Sequence, residues 1–314
     1  MTGSQPLSQE FSLGAGLYTV LLCMIFGSNA VAAKMAFSGV GVFTSAALRF
    51  AIAAAGLFIW IRATGQTIGE SKGDPFKLFV FAALFTLQLA LFYFGLSKSN
   101  ASRGTLITNL LPFFILFLAH FFIPGDRITG RKLGGILLGF GGVVCLFWGP
   151  GANGNGFLAG DLIILAGTLV WACSTVYLKR IIADFHPVHL VMYQMVFAIP
   201  FLSLAALLWD RPMVSNLDAS VIGALLFQGL IASSFGFVAW SGLLQKYGAF
   251  SLHSFVFIMP IAGVFFGGLI LGEPITLKIL LALAFIVSGI LAVQWRSSPR
   301  EPVKKRSQYV SKAQ

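Results

Sequence analysis

Acidic side chains are scarce in this sequence. Asp and Glu number 10 among 314 residues, against 21 Lys and Arg, and none lies in the middle of a long apolar run. Glu10, Glu70, Asp74, Asp184, Asp210 and Asp218 fall in loops or at termini, and Asp161 only opens an apolar run. Charged residues make up 10% of the chain, hydrophobic residues make up 57%, and the mean hydropathy is +0.89. A soluble chain carries about a quarter charged residues, so a water-soluble globule is excluded. Cysteine is limited to Cys23, Cys145 and Cys173, each inside an apolar run. That excludes a disulfide framework and a zinc cluster and leaves three small buried side chains. Of the four histidines, His120, His186, His189 and His253, only His186 and His189 are close in sequence. There is no His-Glu-x-x-His, no pair of intramembrane aspartates and no evident serine–histidine pairing, so catalysis, a resident metal and a cofactor are not expected. Polar connections are short as well. The longest, 63–75, is too small to fold as a domain, which argues against a receptor or scaffold.

What the chain has is apolar helix. About 20 apolar residues cross a bilayer, and ten such runs can be drawn: 13–35, 43–62, 76–97, 101–122, 131–150, 158–180, 187–209, 219–244, 248–270 and 276–296. The first begins at Leu13 with no positive charge before it, so it reads as a span and not as a cleaved signal. An even number of spans puts both termini on one side. Lys34, Lys98, Arg103, Arg211 and Lys278 then face one compartment, and the other fifteen cations, Arg49 apart, face the opposite one. The positive-inside rule makes the richer side cytoplasmic, in a cytoplasmic (inner) membrane. The basic tail 297–314 is expected to rest at an anionic headgroup surface, and no folded basic surface is left to bind nucleic acid.

The stretch from Lys98 to Trp148 recurs faintly from Lys246 to Trp295. Pro112 matches Pro260, and Gly125-Asp126-Arg127-Ile128-Thr129 matches Gly272-Glu273-Pro274-Ile275-Thr276. Phe26-Gly27-Ser28-Asn29, ending at Lys34, corresponds to Trp171-Ala172-Cys173-Ser174, ending at Lys179, and Arg49 falls opposite Gln194. The Gly/Asn stretch 149–157 divides the chain into halves 13–148 and 158–296, with residues 1–12 as a cytoplasmic lead. Five spans is an odd number, so the second half enters with reversed polarity. The expected fold is an all-α polytopic membrane protein of ten transmembrane helices arranged as two inverted five-helix repeats. Asp126 and Glu273 then sit at equivalent positions on opposite faces.

Gly27-Ser28-Asn29…Lys34, Arg49-Phe50, Met259-Pro260 and Leu271-Gly272-Glu273-Pro274 resemble the drug/metabolite transporter superfamily in its EamA-type branch. The resemblance covers about residues 13–296. Phe26 stands where that family often has Trp, although its repeat partner Trp171 keeps the indole. The resemblance implies a carrier of small organic solutes and leaves the solute open.

Polar groups inside lipid-spanning helices are costly unless they face a cavity or a partner, so they mark the candidate site. Thr105, Asn109 and Pro112 share one helix face, and the repeat places His253, Phe257 and Pro260 on the corresponding face. Each proline removes a backbone hydrogen bond and permits a bend. Gln88 with Phe92, Gln228, Tyr93, Trp240, Asn29, Trp171 and Ser174 complete the substrate-side candidates. The bland alternatives are helix-to-helix hydrogen bonds for the glutamines, interface-belt packing for the isolated aromatics and close helix contact for Asn29 and Ser174. Arg49, Pro112, Pro260, Asp126 and Glu273 are the gating or hinge candidates; Arg49 either holds a carboxylate or ties helices together. His253 is the one intramembrane group suited to carry a proton. Gly135/Gly139 and Gly263/Gly267 could pack helices or pair two molecules, but in so glycine-rich a chain such patterns arise by chance and imply no dimer; a monomer or weak homodimer is expected.

These residues predict a secondary carrier moving a small neutral or zwitterionic metabolite by alternating access. Amino acids, especially apolar or aromatic ones, are the first choice, in the direction of export. The alternative cargo is an organic cation or amine, such as a quaternary ammonium compound. The partners are a small-molecule substrate and the lipid bilayer.

Overall fold

The computed structural model describes residues 12–65, 73–122, 129–147, 157–182, 185, 187–253 and 255–294. Asp126, Trp148, Trp295 and the stretch 149–156 lie outside them. Thirteen α-helices follow in order: α1 (Leu13–Gly27), α2 (Asn29–Ala36), α3 (Val42–Thr64), α4 (Pro75–Ser97), α5 (Ala101–Thr108), α6 (Leu111–Phe122), α7 (Gly130–Phe147), α8 (Phe157–Ile181), α9 (Pro187–Trp209), α10 (Ala219–Leu226), α11 (Gly236–His253), α12 (Ile258–Leu271) and α13 (Leu277–Gln294). A π-helical stretch, Phe227–Phe235, joins α10 to α11. Among the described residues, β-structure is one isolated bridge between Val40 and Val214. Nine helical segments there are long and apolar enough to cross a membrane, and Ile258–Leu271 is a shorter apolar helix. The chain is a multi-pass membrane protein.

The two halves pack as an inverted pair. α3 lies on the π-helical stretch while α9, its counterpart, lies on α4; α6 lies on α8 while α12 lies on α1. α5 meets α12, which joins the fourth and ninth spans, and α7 meets α13, its equivalent in the other half. The last contact rests on missing side chains. A Cβ on Gly135 would lie 2.8 Å from the Gly289 carbonyl, and one on Gly289 would lie 2.7 Å from the Gly135 carbonyl. Gly263 and Gly267 admit Thr105 and Ser102 of α5 in the same way. Both Gly-x-x-x-Gly patterns are therefore used within the chain, and neither supports pairing of two molecules.

The scarce acids are found largely at helix starts, where four backbone N–H groups lack partners and the dipole favours negative charge. Asp74 accepts from Phe76 N–H at 2.9 Å. Asp210 accepts from the N–H and hydroxyl of Thr44 at 2.7 and 2.9 Å, tying α9 to α3. Asp218 accepts from Val221 N–H at 2.9 Å and from the Ser220 hydroxyl at 2.7 Å. The Val221 N–H first, then the Ser220 hydroxyl, hold the Asp218 carboxyl below the usual carboxylate range. This cap is present at neutral pH and is lost as pH falls through that lowered value.

Sequence boundaries need one correction. The turn expected between spans 219–244 and 248–270 is absent, because α11 runs unbroken to His253. No proline interrupts residues 236–253, whereas Pro260 fits the first turn of α12, where its missing N–H costs nothing. The break falls at 255–257 instead.

Candidate functional site

Three apolar segments are broken along their length. α1 gives way to α2 at Ser28, whose hydroxyl donates to the Ile25 carbonyl at 3.0 Å. α5 ends before Pro112; there Asn109 Nδ2 donates to the Thr105 carbonyl at 2.8 Å, and the Thr108 hydroxyl donates to the Gly104 carbonyl at 2.7 Å. α11 ends before Pro260, and Ile258 and Met259 close tight turns onto Phe255 and Val256, each at 3.0 Å. The second and third breaks lie at positions that the repeat makes equivalent. Irregular backbone at membrane depth is tolerated where it lines a cavity, and all three breaks do so.

The cavity has a volume of about 370 Å³, within the range of roughly 300–1,000 Å³ usual for small-molecule sites. Its wall is largely apolar, and the aromatic side chains Phe26, Phe50, Phe85, Phe92, Trp171, Phe237 and Trp240 line it. Polar groups come from Asn29, Gln88, Thr105, Thr108, Asn109 and Thr168. One charged side chain lines it: Arg49.

Arg49 is 8% exposed and makes no ion pair among the described residues. Its Nε and one terminal nitrogen donate to the Ser233 hydroxyl at 3.1 and 3.0 Å; the other donates to the Tyr93 hydroxyl at 3.0 Å. The Tyr93 hydroxyl in turn donates to Gln228 Oε1 at 2.8 Å. The guanidinium carbon stands 5.0 Å from the centre of the Phe50 ring. Ser233 and Gln228 both come from the π-helical stretch, whose Gly229 presses against Ile52 and the Arg49 carbonyl. The full charge is thus held by neutral oxygens and a ring face, at the edge of an apolar cavity.

Asn29, Gln88, Phe92, Thr105, Asn109, Trp171, Trp240, Arg49 and Pro112 come together on this wall. Tyr93, Ser174, Gln228, Phe257 and Pro260 are not on it. Tyr93 and Gln228 are fully buried behind Arg49, each satisfied by the other, so they orient the guanidinium and do not face the cavity. Ser174 is buried within α8, and Phe257 packs on the main core. The side chain of His253 lies outside the described residues, as does Asp126.

Glu273 lies away from the cavity. Its carboxylate accepts from Ala101 N–H at 2.6 Å, Ser102 N–H at 2.8 Å and the Ser102 hydroxyl at 2.6 Å, capping α5 from the start of the α12–α13 connection. Lys34 Nζ, on α2, donates to the Leu96 and Ser99 carbonyls at 3.2 and 2.8 Å. At this end of the bundle, which carries Ala36, Ser97 and Ala101, the residues Val31, Ala33, Ala36, Ala101, Leu106 and Ile107 are all buried.

The same end holds a feature that the sequence reading misplaced. Arg103 and Asp161, assigned to the outer surface, are 8% and 0% exposed. They form a buried ion pair, and Asp161 also accepts from the Ser99 hydroxyl at 2.5 Å. Arg103 further donates to the Leu146 carbonyl at 3.1 Å. Arg49 is therefore not the only charge inside the helices. Each residue sits about one turn inside its own predicted span.

Comparison with known proteins agrees with this architecture. Residues 14–148 and 158–295 each match the model of the EamA-like transporter family. An uncharacterized transporter of Archaeoglobus fulgidus is 30% identical over 251 residues, 79% of this chain and 87% of its own. A probable amino-acid metabolite efflux pump of Escherichia coli is 24% identical over 295 residues, 90% of this chain and 97% of its own. One crystal structure superposes on 89% of this chain and 96% of its own, with a TM-score of 0.62 and 19% identity, which shows the fold alone.

Proposed function

The chain belongs to the EamA-like transporter family, and from that premise we propose that it exports carboxylate-bearing small metabolites, apolar and aromatic amino acids first, across the cytoplasmic membrane by alternating access. The observation that carries this reading is Arg49, a buried cation on the cavity wall held only by neutral oxygens. A charge so placed is expensive unless a counter-charge arrives, and a substrate carboxylate supplies one in fork geometry. The aromatic wall takes the apolar side chain. The Escherichia coli relative, a probable amino-acid metabolite efflux pump, lends the same direction. The aromatic faces would also suit organic cations, but Arg49 repels them and no described carboxylate lines the cavity to offset it.

The test is counterflow in proteoliposomes with a panel of radiolabelled amino acids and quaternary amines. Leucine, phenylalanine or tryptophan is expected to exchange while the amines do not. Exchange of amines alone overturns the reading.

In this reading the end carrying Ala36, Ser97 and Ala101 is shut and acts as one gate, with Glu273 as its latch; both termini face the cytoplasm, on the far side. Glu273→Ala strands the Ala101 and Ser102 N–H groups, each worth roughly 1–3 kcal/mol when buried without a partner. The two together cost about 2–6 kcal/mol, so opening at that end is then favoured by about 30-fold or more. An impermeant maleimide should label Ala36→Cys correspondingly faster in the Glu273→Ala background, with Cys23, Cys145 and Cys173 replaced. Equal labelling rates in the two backgrounds would remove Glu273 from the gate.

A further inference from the structure

Among the described residues the cavity wall carries one positive charge and no negative one. A zwitterion bound by its carboxylate to Arg49 must therefore leave its ammonium, two bonds away, without a counter-charge and close to a guanidinium. The oxygens within reach are neutral. Gln88 and Asn109 supply amide groups, while Asn29 Oδ1 and Thr105 Oγ1, which have no hydrogen-bond partner, are buried beneath the cavity surface. An ammonium gives up strong hydration on entering so apolar a space, and an amide dipole replaces only part of it. A carboxylate without the ammonium keeps the whole attraction to Arg49 and avoids both penalties.

We infer that the preferred ligands are apolar monoanions, the deaminated counterparts of the amino acids: arylalkanoic, branched-chain alkanoic and related 2-oxo acids. This rests on the proposed role of Arg49 as carboxylate holder, and it assigns to the same cavity a substrate class beyond amino acids. The carrier then handles organic acids as well as amino acids, and it discriminates by the sign of the head group more than by the shape of the body. Arg49 does not select for the amine; nothing charged on the described wall does.

Three ligands share one body and differ in head-group charge: 3-phenylpropionate, phenylalanine and phenethylamine. Each is titrated against the purified full chain in lipid nanodiscs at neutral pH, with thermal unfolding as the readout, since a ligand that binds the native state raises its apparent stability by RT ln(1 + [L]/Kd). The expected order is 3-phenylpropionate first, with a fitted Kd at least threefold below that of phenylalanine, and no shift with phenethylamine. The neutral 3-phenylpropanamide should fall below phenylalanine. If phenylalanine binds more tightly than 3-phenylpropionate, the monoanion inference is overturned and the amino-acid reading stands. If phenethylamine alone binds, both are overturned. The same holds if no member of the series shifts the transition. Repeating the series with Arg49→Lys, which keeps the charge, should preserve the order and guard against a folding defect in charge-removing variants.

Discussion

Arg49→Gln is expected to lower amino-acid exchange by at least tenfold while the protein still folds and inserts. Hydrogen bonds to a charged group are worth about 1.5–3 kcal/mol, and a tenfold change in affinity corresponds to about 1.4 kcal/mol. Losing the carboxylate's partner therefore weakens binding by roughly 10- to 100-fold. Folding should suffer far less. Gln retains a donor for the Ser233 or Tyr93 hydroxyl, and removing a buried charge relieves a desolvation penalty. Arg49→Lys keeps the charge but not the fork, so it should fall between Gln and the native residue. The two roles of Arg49 separate in this contrast. If Arg49 only ties α3 to the π-helical stretch and α4, Gln and Lys should affect thermal stability and leave the half-saturating concentration unchanged. If it holds substrate, that concentration moves and stability does not. Initial rates of counterflow across a range of substrate concentrations, measured beside the unfolding temperature of each variant, decide between them.

The fold was largely legible because its determinants are local or repeated. Apolar runs of bilayer length mark the spans, an odd number of spans per repeat forces the inversion, and Pro112 and Pro260 mark where helices break. The cavity wall was legible in part for the same reason, since Thr105, Asn109 and Pro112 share a helix face with a repeated counterpart. Misplacements arose where the answer depended on register between helices. Tyr93 and Gln228 are polar groups in apolar helices, as cavity residues would be, and only tertiary packing shows that they satisfy each other behind Arg49. Ser233, small and unremarked in the sequence, holds two nitrogens of that arginine because the π-helical stretch brings it there. Arg103 and Asp161 misled differently. Charges one turn inside a span end ordinarily snorkel to the interface, and nothing local shows that the helices around these two leave no route to water.

Their pairing leads to the second large effect. Asp161→Ala is expected to destabilise the protein by roughly 3–5 kcal/mol, because it leaves the Arg103 guanidinium buried with no counter-charge. The Leu146 carbonyl remains as a hydrogen-bond acceptor for Arg103, and the Ser99 hydroxyl loses its acceptor as well. Arg103→Ala should cost a similar amount by stranding the carboxylate, which is 0% exposed. The double variant Arg103→Met/Asp161→Leu is the informative one. Replacing a buried ion pair by apolar residues of similar volume is often neutral or stabilising, so it should recover most of what either single change loses. Recovery of stability with unchanged transport would make the pair a structural tie between α5 and α8. Recovery of stability with lost exchange would mean that the charges are needed when this end opens, because an apolar pair would hold the two helices together in both states. Unfolding temperatures of the four proteins in one detergent give the coupling, and a single Asp161→Ala variant within about 1 kcal/mol of the native protein would contradict the buried pair itself.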